Sequence, residues 1–208
     1  MQKSLLISCT GLASSGKNTF CDLLQKRLKE NLNIDILQLS FAEQLRNDVG
    51  PFLKEKCDFD VWRNTDKDKF RPLLVWYGNL KRSQTFGKYF IDKVKGKFNI
   101  YKSEQSLLGK PGIATVSDLR FEDELEYCKS EGVVVHISKY KILSKNAPNT
   151  KIFTSPPNEF EAKNDPILKQ ASDYQICWEH QESVDLSVLN VYVDGFIDWL
   201  AKEGYLIC

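Results

Sequence analysis

The sequence predicts an α/β fold of three layers, with helices on both faces of a five-stranded parallel sheet. Three observations predict it. The apolar run Leu5 to Cys9 reads as a buried strand. A loop, Gly11-Leu-Ala-Ser-Ser-Gly16-Lys17-Asn18-Thr19, follows it and leads into Phe20, Cys21, Leu23, Leu24 and Leu28 at helical spacing. Strand and helix patterns then alternate to the end of the chain, as they do in parallel sheets.

The loop has the parts that phosphate binding needs. Gly11 and Gly16 permit backbone angles closed to other residues and let the main chain approach an anion. Amides from Ser14 to Thr19, with Ser15, Gly16 and Asn18 between them, and the positive end of the following helix point at one spot. Lys17 adds a mobile point charge suited to terminal phosphates. A turn that caps a helix would explain the glycines, but not a lysine fixed beside the second one. The loop is therefore read as a nucleoside triphosphate site. Where a Ser or Thr magnesium ligand commonly follows the lysine, this chain has Asn18, and the hydroxyl comes at Thr19.

Bulk composition narrows the rest. A chain of 208 residues buries one substantial core, so one domain over 1–208 is expected, with a helical insert at about 41–100 and a lid at about 139–165. With 29 basic and 28 acidic residues, bulk charge gives no support for broad nucleic-acid binding. The six cysteines show no CxxC spacing and read as reduced thiols, and two histidines cannot build a zinc site among them. The N-terminal apolar run is too short for a signal peptide or membrane span, so a cytoplasmic protein is expected, in the host cytoplasm if viral.

The elements follow in order. Residues 18–32 read as the first helix and Ile34 to Leu39 as the second strand. Ser40 with Glu43 makes a capping box for a helix striped by Phe41, Leu45 and Val49. Arg46 lies near its start, close to the carboxyl end of a parallel strand, where such sheets bind ligands. It either faces a second substrate or is a solvated flank. Residues 58–70, with Asp66, Lys67 and Asp68, are strongly charged and read as a loop or exposed helix. Arg71-Pro72 begins a helix on which Arg71, Val75, Gly78 and Arg82 share a face, since eleven residues are close to three turns. Two arginines there suit an anionic ligand; otherwise they are two independently solvated side chains. Phe86 to Phe98 reads as a helix and Ser103 to Gly112 as a loop.

Ile113 to Ser117 is a strand that ends in Ser117-Asp118-Leu119-Arg120-Phe121. A carboxylate there is placed to organise magnesium, and Arg120 to reach phosphates. Asp118 can also be read as the cap of a helix at 120–131, and the two roles are compatible. Glu122, Asp123 and Glu124 suit that helix's dipole and need no other function. Val133 to Ser138 is a β-branched strand. Residues 139–164, with Lys139, Lys141, Lys145 and Lys151, read as a mobile lid or a surface loop. A last strand runs into Trp178, and Leu186 to Leu200 carry the final amphipathic helix.

In this order the elements have the plan of a P-loop kinase. The loop, with its Lys-x-Thr form, and four further segments resemble the deoxynucleoside monophosphate kinases of bacteriophages. These are Ser40 to Arg46, Arg71 to Gly78 with Arg82, Ser117 to Glu124, and Asp173-Tyr174-x-Ile176. The resemblance implies ATP-dependent phosphorylation of a (deoxy)nucleoside monophosphate with Mg2+. It puts Lys17, Asp118 and Arg120 at the reaction, and Thr19 with Asp118 on the metal. Phe41, Arg46, Arg71, Trp76, Gly78, Arg82 and Arg120 fall at the acceptor. The chain departs from the family in its lid lysines, in Asn158-Glu159 where relatives have Ser-Glu, and in Trp76 and Tyr77 beside the base. Small-molecule nucleotides are the expected partners, with no membrane, and a homodimer is an option. Nucleic acid enters only if the acceptor is a hydroxymethylated base in DNA. Dephospho-coenzyme A or phosphomevalonate as acceptor would also suit these motifs, as would a nucleotide-binding protein without turnover.

Overall fold

Strand β1 (Leu5–Thr10) is buried throughout, as an apolar run with a strand on each edge must be. The computed structural model describes residues 4–63, 67–142, 151–156, 158–180 and 187–206, with backbone only at 67 and 68. Expectations resting on Asp66, Lys145, Leu186 and Cys208, and on the side chains of Lys67 and Asp68, lie outside the described residues.

Strand β1 runs parallel to β3 (Ile113–Val116) on one edge and to β4 (Gly132–Ile142) on the other. The sheet continues with β2 (Ile36–Leu39) beside β3, and β6 (Tyr174–Glu179) pairs with β4. It has six strands, mostly parallel, where the sequence predicts five. The additional one is β5 (Lys151–Phe153), antiparallel to the end of β4, with Tyr140 opposite Phe153. Strand β4 does not stop at Ser138 but runs to Ile142. At Val135 and His136 its two edges hold β1 and β6; at Tyr140 they hold β5 and β6. Strand β5 therefore takes the edge that β1 leaves when the chain turns into the glycine loop. It satisfies backbone groups that β1 no longer reaches.

Side-chain alternation sorts the layers. Leu5, Ile7 and Cys9 of β1 and Val133, Val135 and Ile137 of β4 share a core with α1 (Lys17–Leu32) and α7 (Asn190–Lys202). Phe20 of α1 meets Phe196 of α7 edge-on at 5.4 Å between ring centres. Each such buried side chain stabilises the fold by about 1.5–3 kcal/mol. On the other face, α5 (Glu122–Glu131) and α6 (Glu159–Ala171) cover the strands, and His136 reaches Asp165 of α6 at 3.1 Å. Much of the stretch expected as a lid thus forms regular structure, since β4, β5 and α6 all enter it.

Residues Leu39–Ile100 form a second compact unit; the rest of the chain forms the first. The second contains α2 (Phe41–Cys57), α3 (Lys67–Thr85) and the first part of α4 (Lys88–Leu107). Its core is Val49, Leu53 and Phe59, with Leu45, Phe70, Leu73, Leu74 and Tyr77 packed against it. Three boundaries differ from expectation. Helix α3 starts at Lys67, so Pro72 lies inside it rather than in its first turn. Phe86 and Gly87 have φ of 52° and 82° and separate α3 from α4, so Phe86 is a turn residue, not a helical one. Helix α4 continues through Ser103 to Leu107, because no glycine or proline lies between Phe98 and Gly109. No described helix is long and apolar enough to cross a membrane.

Candidate active site

The glycine loop is held from two sides. Gly11 has φ 132°, and a Cβ on it would lie 2.2 Å from the Ile137 carbonyl oxygen of β4. Gly16, with φ 98°, caps α1, and a Cβ on it would lie 2.5 Å from the Trp178 ring. Both contacts are closer than real side chains allow, which is why only glycine serves. The Trp178 indole Nε1 donates to the Ser15 carbonyl at 2.8 Å, so β6 supplies a floor for the loop. The first turn of α1 carries no acidic residue, which leaves its amides and dipole to attract an anion. Among the described residues the buried Ser15 hydroxyl meets no hydrogen-bond partner, a cost that an incoming polar ligand would offset.

Lys17 is 8 % exposed. Its Nζ donates to the carbonyls of Gly11 and Leu12 at 2.7 and 2.8 Å. Burial, and next the positive charge of Arg120, bring its pKa down to about 8. Lys17 and Arg120 therefore share one electrostatic environment.

Arg120 is held at three points. Its amide donates to Glu124 Oε2 at 2.9 Å, its carbonyl accepts from Asn164 Nδ2 at 3.0 Å, and its guanidinium pairs with Glu161. Glu124 is 1 % exposed and also takes the Phe121 amide at 3.2 Å. It is thus a buried brace for the turn, not only a dipole partner as its sequence position implies. Helix α5 begins after Phe121, so Asp118 is not its cap. Asp118 lies two residues past Val116, which pairs with Ser8, and Thr10 lies two residues past Ser8. The carboxylate-bearing turn and the glycine loop therefore leave the same end of the sheet.

Glu161 is the residue that sequence reasoning missed. Its Oε2 accepts from the Ala13 amide of the loop at 2.7 Å, and its Oε1 pairs with Arg120. Asn158 Oδ1 caps α6 by accepting from the Glu161 amide at 2.9 Å. The spacing Asn158-x-x-Glu161 is a helix-start signature, so a capping search would have found the pair. Trp178 offers no such signal, because an aromatic in a strand reads as core.

Thr19 lies in the first turn of α1, and Asn18 and Ser14 are exposed, Ser14 with φ 62°. Among the described residues no three His, Cys, Asp or Glu side chains could together hold a metal. Thr19 and Asp118 carry oxygen donors, the ligand type that magnesium takes.

In the helical unit Phe41 is buried at 3 % exposure, while Trp76 is 60 % exposed. The Arg46 guanidinium stacks over Trp62 at 5.4 Å and that of Arg82 over Phe90 at 5.5 Å. Arg71 is exposed, and a Cβ on Gly78 would stand 4.0 Å from Leu45, an ordinary contact. Sequence reasoning also passed over Asp48, whose Oδ2 accepts from Tyr77 at 3.1 Å and Tyr89 at 2.7 Å. Gln44 donates to its second oxygen at 2.6 Å. This carboxylate ties α2 to α3 and α4, and burial with the Asp48 bond pushes the Tyr77 phenol up to about 12.

No family model and no curated protein matches the sequence. Solved structures do. One is dephospho-CoA kinase from Campylobacter jejuni, at 13 % identity and TM-score 0.47 over 95 % of this chain and 98 % of that one. Another is APS kinase from Mycobacterium tuberculosis in complex with AMPPNP and APS, at 12 % identity and TM-score 0.44 over 97 % and 99 %. Shikimate kinase from Acinetobacter baumannii in complex with shikimate gives 13 % identity and TM-score 0.42 over 97 % and 96 %. These neighbours are kinases of different acceptors. At such identities and scores the likeness assigns no residue of this chain a role.

Proposed function

We propose that the chain transfers the terminal phosphoryl group of ATP to the phosphate of a (deoxy)nucleoside monophosphate. The observation that supports it most is the Lys17 and Arg120 pair of cations beside a glycine loop that leads into the N-terminus of α1. Two positive groups and a helix N-terminus at one spot offset the charge of a triphosphate. The acceptor phosphate is already an anion, so positioning and charge compensation matter more than a strong base.

In this scheme the loop amides other than those of Ala13, held by Glu161, and Ser15, held by the Leu12 carbonyl, take the donor phosphates. Lys17 exchanges its carbonyl partners for phosphate oxygens and follows the transferring group. Thr19 and Asp118 would hold magnesium. The ion, when bound, neutralises phosphate oxygens. Arg120 stabilises the charge that spreads over the group in flight. Arg46, Arg71 and Arg82 of the helical unit bind the acceptor phosphate, with Trp76 beside its base.

A panel of ribo- and deoxynucleoside monophosphates, with ADP release as readout, tests this. Turnover is expected with at least one monophosphate at a rate at least a hundredfold above ATP hydrolysis without acceptor. Turnover confined to dephospho-coenzyme A, phosphomevalonate or hydroxymethylated DNA would move the assignment to that acceptor. ADP binding with no turnover on any of them would leave a nucleotide-binding protein.

A further inference from the structure

Glu161 stands where α6, the glycine loop and the Arg120 turn meet, and both its oxygens are engaged. One takes the Ala13 amide at 2.7 Å; the second pairs with the Arg120 guanidinium and lies 3.4 Å from Asn158 Nδ2. The Glu161 side chain is 8 % exposed while that of Arg120 is 40 % exposed, so the carboxylate is shielded from water and the guanidinium keeps an open side for a ligand. The Glu161 backbone is fixed by the Asn158 cap, and Asn164 of the same helix holds the Arg120 carbonyl. An arginine has many rotamers, and a guanidinium not held in place loses them on engaging a phosphate. Glu161 removes that cost in advance.

We infer that Glu161 is a positioning residue that aims Arg120 at the transferring phosphoryl group and, by accepting the Ala13 amide, anchors that arginine to the glycine loop. The inference rests on the phosphoryl-transfer reading of the site for its kinetic consequence, but not for its geometry. Glu161 acts through Arg120, so the two side chains should behave as one unit in the rate and separately from donor binding.

A double-mutant cycle tests it. Glu161→Gln keeps the shape and removes the charge. It is expected to lower kcat at least tenfold, with ADP affinity within threefold of the parent. In an Arg120→Ala background the same change should alter kcat by less than threefold. Multiplying effects in the double variant would overturn the inference. Should Glu161→Gln fail to fold, Glu161→Asp keeps the charge but loses the reach, and the same non-additivity is expected. If the parent protein phosphorylates no acceptor, the kinase reading fails by itself and the geometric arm decides. Amide hydrogen exchange at Ala13 should then rise at least tenfold in Glu161→Ala, with that of Ile7 and Leu24 unchanged. Unchanged Ala13 exchange would overturn the inference.

Discussion

Lys17 carries the sharpest consequence of burial in this protein. Its pKa of about 8 means that the ammonium starts to lose its proton near neutral pH. ADP affinity is therefore expected to fall as pH rises from 7 to 9 and to be flat over that range in Lys17→Ala; isothermal titration measures both. Stability moves the opposite way. An unfolded lysine keeps its proton to about 10.5, so between about 8 and 10.5 the unfolded chain binds more protons than the native one. The Lys17 contribution makes the native state more stable as pH rises through that window. Urea midpoints of parent and Lys17→Ala at pH 7.5 and 9.5 should show that increment in the parent alone. Lys17→Ala is also expected to cut turnover by at least a thousandfold while it stays folded; near-parental rates would reject the donor site.

Elements decide how rigid the site is. Trp178 of β6 supports the loop from below: it packs beneath Gly16 and bonds the Ser15 carbonyl. Trp178→Phe keeps most of the ring and loses the bond, so a three- to tenfold loss of ADP affinity with a thermal midpoint within about 4 °C is expected. Gly16→Ala puts a methyl group where the indole already is, at a positive φ that L side chains rarely adopt. It should abolish ADP binding, and the near-ultraviolet circular dichroism of the tryptophans should change with it. Parental ADP affinity in that variant would mean that the loop does not depend on its β6 floor. The elements also show where sequence patterns ran out. Strand β1, helix α1 and the β3 turn were legible because burial and loop chemistry act over neighbouring residues. The end of β4 was not, because its extension to Ile142 depends on β5, a partner nine or more residues away. Helix α4 overran its expected end because the segment after Phe98 is polar yet contains no residue that stops a helix.

For the whole molecule, a ligand that binds the native state alone raises its stability by mass action. ADP at a hundred times its dissociation constant should add about 2.7 kcal/mol. The thermal midpoint should rise with ADP in the parent and stay unmoved in Lys17→Ala. A rise of equal size in both would place ADP binding away from the loop.

From the chain's residues alone follow the α/β class, the glycine loop with Lys17, and the turn with Asp118 and Arg120. Each of these depends on residues close together in the chain, so local periodicity and local backbone chemistry encode them. Only the tertiary structure decided that Trp178 floors the loop, that Glu124 braces the Arg120 turn, and that Glu161 joins the Ala13 amide to the guanidinium. Two of those partnerships span 148 and 163 residues, and no pattern in the chain shows which distant carboxylate or indole a given amide or carbonyl will meet.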